Sequence, residues 1–208
     1  IEPNVGTVPV PDERLVRLAE VIEKEIATSP SAPRNDRKVP LVPAVVRFVD
    51  IAGLVKGASE GAGLGNKFLS HIRQVDAICH VVRNFADSNI IREGSVDPKS
   101  DFETIKTELD LADLETKERR ESKKKQVEEA LPLLSDKPVI VVLNVDEGDL
   151  KNAAELEKKY AVEFGLDADR VIAICAKTEA ELAEMDEKDQ KAYLADLGID
   201  KSGLERLV

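Results

Sequence analysis

Short apolar runs rich in valine and isoleucine alternate along the chain with longer segments whose apolar residues recur at helical spacing. The runs that read as strands are GTVPV (6–10), AVVRFVDI (44–51), AICHVV (77–82), KPVIVVLNV (137–145) and RVIAICA (170–176). The last three are nearly continuous in apolar residues, as expected of parallel strands covered on both faces. Between the runs, Asp12 is a plausible N-cap for a helix whose stripe is Leu15, Leu18, Ile22 and Ile26. Leu64, Phe68, Leu69 and Ile72 make a second stripe, and Leu156, Tyr160 and Phe164 a third. Strands alternating with helices predict an α/β fold with a doubly wound, mostly parallel sheet.

Two segments break the alternation. ATSPSAPRNDRKVPLVP, Ala27 to Pro43, carries four prolines and reads as a loop. From Asp101 to Leu134 helix formers dominate, and ETKERRESKKKQ, Glu115 to Gln126, has no apolar residue, so a solvated helix projecting from the domain is expected. No glycine or proline lies between Pro98 and Pro132 to turn a hairpin. Either the helix runs about 45 Å unbroken, at 1.5 Å per residue, or its turn is not in this sequence; the second is the expectation.

Composition narrows the class. At 208 residues, 42% hydrophobic and 34% charged, the chain can bury a real core, and no apolar run approaches the ~18 residues of a membrane span. The net charge of −11 argues against sequence-independent binding to a phosphate backbone, which needs clustered Lys and Arg, but leaves room for a local basic patch. Cys79 and Cys175 sit inside apolar runs, which predicts two buried thiols in a reducing, cytoplasmic compartment.

The chemistry gathers at strand ends. Asp50 closes VVRFVD and is followed at once by Ile51, Ala52 and Gly53. An aspartate at the carboxyl end of a buried strand faces the crevice in which open α/β sheets take ligands. In P-loop nucleotidases an aspartate so placed holds magnesium, and the glycine N–H can meet the γ-phosphate. Asp-x-x-Gly alone is a weak pattern. It is strengthened by the strand and by Gly57, Gly61, Gly63 and Gly65, which would let the loop reorder around a phosphate; the plain alternative is a flexible turn.

Asn144 ends the five-residue apolar run VIVVL, 139–143, and Glu147 stands three residues on. GTPases place Asn-Lys-x-Asp here, the aspartate accepting from two guanine donors. In this chain the lysine position is Val145 and the aspartate position Glu147, a departure that points away from guanine. Cys175, Ala176 and Lys177 end the last strand, where backbone N–H groups would be available to a base. The spacing Gly61-x-Gly63-x-Gly65 is not the dinucleotide fingerprint, which disfavours a nicotinamide-dependent enzyme.

IEPNVG, FVDIAGLVKGASEGAGLGNKFLSHIR, DAICHVVR, TELDLADLETKERR, KPVIVVLNVDE and SGLERL, in order and over nearly the whole chain, resemble the YchF/Obg-like ATPase family. The resemblance implies a P-loop NTPase-like fold with a coiled-coil insertion, ATP (or GTP) as substrate with Mg2+, and association with ribosomes. Carried over residue by residue, it assigns nucleotide binding to Gly53, Asn144, Val145, Glu147, Cys175, Ala176 and Lys177, with Val145 lining the base, and the metal to Asp50. The expected domains are 1–100 and 135–208 as two parts of a nucleotide-binding domain, with 101–134 as the helical insertion.

Departures from the family pattern carry weight too. Its Gly-x-Pro-Asn-Val-Gly-Lys-Ser loop and its C-terminal TGS domain are not in this sequence, so the expectation is a partial chain, inactive by itself. Leu54 stands where many GTPases have a water-orienting glutamine, which predicts slow hydrolysis. Ile90, Ile91 and Arg92 occupy the stretch where relatives tend to have a histidine implicated in hydrolysis, so no catalytic residue is assigned. His71 and His80 read as packing or surface residues. The expected partners are a nucleotide and the ribosome, with no membrane, in a monomer. The alternative is a non-catalytic module that touches RNA or protein through the helical arm, motivated by the basic residues from Lys117 to Lys125.

Overall fold

The computed structural model describes residues 4–28, 39–51, 64–86, 97–122 and 133–208. The chain divides into two units, Ile1–Asp50 and Ile51–Leu207.

In the first unit, β1 (Asn4–Pro9) and β2 (Val45–Asp50) pair antiparallel, from Asn4 opposite Asp50 to Pro9 opposite Val45, with α1 (Glu13–Thr28) between them in sequence. Asp12 does cap α1: its carboxylate accepts from the Arg14 N–H at 2.9 Å and pairs with the guanidinium at 2.7 Å. Those contacts hold the Asp12 carboxyl down at about 2. The helix turns a different face inward from the one expected. Ala19 is buried with Leu15 and Ile22 half-buried, a spacing of four and then three residues, whereas Leu18 is 56% exposed. Nor is β2 a buried strand. Its residues alternate between exposed and half-buried, because a two-stranded pair with one helix is too small to cover both faces of a strand.

The second unit carries α2 (Leu64–Gln74), β3 (Ile78–Asn84), α3 (Pro98–Ser122), β4 (Val139–Val145), a 3-10 turn (Glu147–Asn152), α4 (Ala153–Phe164), β5 (Val171–Ile174), α5 (Ala176–Ala183), α6 (Glu187–Leu197) and α7 (Gly203–Leu207). Its sheet is parallel, in the order β3-β4-β5, with Val82 opposite Leu143 and Leu143 opposite Ala173. On one face Val82, Val141, Leu143 and Val171 meet Phe102 of α3 and Tyr160 and Phe164 of α4. Phe102 and Phe164 stack with ring centroids 4.6 Å apart, and each such ring contributes about 1.5–3 kcal/mol by leaving water. Leu156, Tyr160 and Phe164 thus face the core as their spacing predicts.

Val142, Ile172 and Ile174 pack together on the other face, with Leu207 of α7 against them. Coverage of this face fails at β3. Val81, opposite Val142, is 62% exposed, and Cys79 is exposed too, so only Cys175 of the two expected buried thiols lies in the core. Both β3 and β5 are edge strands of this sheet, but α7 packs over β5, which is buried along its whole length, whereas Val81 and Cys79 of β3 have no described element over them. Gly165 and Gly198 close α4 and α6 with φ of 67° and 73°, the left-handed geometry that favours glycine.

α3 is anchored along its first half. Phe102, Leu109, Ala112 and Asp113 are buried, and the Asp113 carboxylate accepts from the N–H groups of Leu134 and Ser135, both at 2.8 Å. An unbroken helix from Asp101 to Leu134 is therefore excluded, since it would put Asp113 and Leu134 about 30 Å apart. Among the described residues no helix is long and apolar enough to cross a membrane.

Candidate functional site

The carboxyl ends of β4 and β5 are brought together by one side chain. Asn144, half-buried near the end of β4, accepts through Oδ1 from the Ala176 N–H at 3.0 Å. This joins the strand end that carries Asn144 and Glu147 to the one that carries Cys175 and Lys177. It also occupies the Ala176 N–H, one of the backbone amides expected to face a ligand. The Lys177 N–H lies in the first turn of α5, where helix geometry leaves donors without an intrahelical partner.

Each remaining residue has a definite place. Val145 is 2% exposed and its side chain belongs to the core, so what it offers outward is its backbone. Glu147 opens the 3-10 turn, half-buried, after Asp146 in an extended conformation. Among the described residues, neither the Glu147 carboxylate nor the Asn144 side-chain NH2 makes a hydrogen bond. The two therefore offer an acceptor and a pair of donors three residues apart. Cys175 is 4% exposed, and Lys177 is exposed with its ammonium 3.9 Å from Glu181 of the next turn.

Asp50 ends β2 in the first unit, exposed and opposite Asn4. Gly53 and Leu54, with Gly57, Gly61 and Gly63, lie outside the described residues, as do Ile90, Ile91, Arg92 and Lys123–Lys125. Among the described residues no group of three or more His, Cys, Asp or Glu is arranged to hold a metal ion. Asp50 is a single carboxylate, which suits a magnesium ion that takes its other ligands from water and phosphate. His80 stacks on Phe102 at 5.4 Å, and His71 is a half-buried residue of α2, in keeping with packing or surface roles.

Two side chains near these strand ends, Tyr193 and Glu179, escaped the sequence reading. Tyr193 of α6 donates its hydroxyl to Glu181 at 2.7 Å. That bond, then burial, then the charges of Glu147, Glu181 and Cys175 push the phenol up to about 12. Glu179, one turn into α5, directs its carboxylate to the N–H groups of Gly203 and Leu204. The SGLERL stretch was visible in the sequence, but nothing local shows that it closes on α5.

The family model of a 50S ribosome-binding GTPase matches residues 16–145, more than half of the chain. The chain belongs to that family, as one of its YchF/Obg-like members. The chain is 41% identical to the ribosome-binding ATPase YchF of Bacillus subtilis, over 100% of this chain and 65% of that protein. It is 36% identical to the Haemophilus influenzae protein of the same name, over 100% of this chain and 64% of that one. Among solved structures, the Schizosaccharomyces pombe YchF GTPase superposes with a TM-score of 0.70 at 30% identity, covering 100% of this chain and 64% of its own. The YchF-type chain described here thus spans about two thirds of the length of these relatives. Its α/β architecture, with a parallel sheet flanked by helices, is the P-loop NTPase-like fold.

Proposed function

We propose that this YchF-type chain supplies the base-recognising and magnesium-binding parts of an ATP-preferring, ribosome-associated nucleotide hydrolase of regulatory character. The observation that carries the proposal is the pairing at the strand ends. Asn144 bridges to Ala176 through its carbonyl, and among the described residues its NH2 group and, three residues on, the Glu147 carboxylate make no hydrogen bond. An asparagine amide donating to N7, with an acceptor for the 6-amino group, matches adenine. Guanine presents a carbonyl at that place and would meet the carboxylate without a donor.

In this reading Asn144, the Val145 backbone and Glu147 bind the base, with Cys175, Ala176 and Lys177 forming its other wall. Asp50 orients magnesium through water, and Gly53 meets the γ-phosphate; the metal's part is to neutralise charge on the phosphates. Leu54 cannot orient water by hydrogen bonding, so turnover by the protein alone is slow and rises when a partner, here the ribosome, completes the site. The names of the relatives support nucleotide hydrolysis and ribosome binding but differ in calling those proteins ATPases or GTPases. The residues at 145 and 147 support ATP.

Competition titration of the full-length protein with Mg2+ tests this. ATP is expected to bind at least tenfold more tightly than GTP, and GTP binding as tightly as ATP would refute the base assignment.

A further inference from the structure

SGLERL, Ser202 to Leu207, has no part in the nucleotide site as the strand-end motifs define it, yet it is bonded to that site's second loop. Glu179 donates its own N–H to the Cys175 carbonyl at 3.0 Å, within the first turn of α5. Its carboxylate reaches the other way. Oε1 accepts from the Gly203 N–H at 2.7 Å, and Oε2 from the Leu204 N–H at 3.2 Å. Gly203 is buried, and a Cβ there would stand 2.6 Å from Cγ1 of Ile174, the residue just before Cys175. Only glycine lets the start of α7 come this close to the end of β5. Leu150, in the turn that follows Glu147, borders the same cavity of about 410 Å3 as Glu179 and Gly203. The turn after β4, the first turn of α5 and the start of α7 therefore line one cavity, and the Glu179 carboxylate bonds the last two together.

We propose that Glu179 is a positioning residue for base recognition, and that through it the seating of α7 and the occupancy of the base site depend on each other. The proposal rests on the adenine-nucleotide reading of the strand ends. A carboxylate held by two N–H groups is fixed in direction, because charge-assisted bonds of this kind are short and strong. Fixing Glu179 fixes the first turn of α5, and with it the Ala176 and Lys177 amides. Linkage makes the effect reciprocal: if a seated α7 favours the base, a bound base favours the seated α7 by the same factor.

The test uses the full-length protein with Mg2+ and two ligands, ATP and inorganic tripolyphosphate, which has the phosphates but no base. Glu179→Gln keeps the size of the side chain and removes its charge. It is expected to weaken ATP by about five- to tenfold, the net scale of one ordinary hydrogen bond, with tripolyphosphate unchanged. In the wild type, amide hydrogen exchange across Gly203 and Leu204 is expected to slow with ATP and not with tripolyphosphate. Equal weakening of both ligands in Glu179→Gln, or unchanged ATP affinity, overturns the positioning role. If the variant does not fold, the wild-type exchange decides alone, and an absence of ATP-specific slowing overturns the coupling. Failure of the underlying reading looks different, since wild-type protein would then bind ATP no better than tripolyphosphate.

Discussion

His80 points inward from β3 and stacks on Phe102, and the surroundings of this one imidazole set a pH window. Burial pulls it down to about 4, with the charge of Asp101 acting the other way. Its folded-state value lies below the ordinary 6.5, so between those values the unfolded chain binds the proton first. The stability contributed by neutral His80 is complete above pH 6.5 and is lost as pH falls toward 4, by up to about 1.4 kcal/mol per pH unit. Replacing His80 with Phe preserves a ring on Phe102 and removes the titration. Urea midpoints taken from pH 7 to 4 should then fall less steeply than in the wild type; an unchanged slope would contradict the assignment. At this same scale, Asn144 and Glu147 were legible because a polar residue ending a run of valines has few structural reasons to be there. Glu179 was not, since a glutamate in the first turn of a helix is commonplace and its partners lie 24 and 25 residues on.

Among the elements, the three parallel strands and α4 were legible because their apolar periodicity is a local property. What failed were statements about which faces are covered. Leu18, Cys79 and Val81 sit in apolar surroundings in sequence yet lie exposed, because coverage depends on neighbours from elsewhere in the chain. α3 shows the same limit. Its polar second half predicted a projecting helix, but its first half is anchored by Phe102 and Leu109, and Asp113 binds it to the segment entering β4. Burial alone would raise the Asp113 carboxyl. The N–H groups of Leu134 and Ser135, the Ser135 hydroxyl and the charge of Arg73 outweigh burial and hold it below the usual carboxylate range. A depressed value stabilises the fold above the ordinary carboxylate pKa, and that stability is lost as pH falls through the folded-state value. Asp113→Asn replaces one charged acceptor with an NH2 group facing a donor. It should cost about 2 kcal/mol at neutral pH by urea denaturation, within the range for hydrogen bonds to charged groups. A loss below about 0.5 kcal/mol would show that the contact matters little.

At the scale of the molecule, the ordered motif set identified the family, and the YchF relatives cover every residue of this chain while extending well beyond its length. The sequence also placed at strand ends the two loops proposed to hold the base; the structure makes those strands neighbours, and the Asn144–Ala176 bond joins the loops. In the proposed reading Asp50 and the glycine loop form the phosphate side, of which the described structure contains Asp50 at the end of β2. The account therefore turns on where the base sits. The most direct measurement is a crystal structure of the full-length protein with Mg2+ and a non-hydrolysable ATP analogue. It should place adenine N7 and the 6-amino group within hydrogen-bonding distance of the Asn144 side chain and the Val145–Glu147 loop, with Asp50 in the shell of the magnesium. An adenine bound elsewhere, with Asn144 and Glu147 still in water, would contradict it.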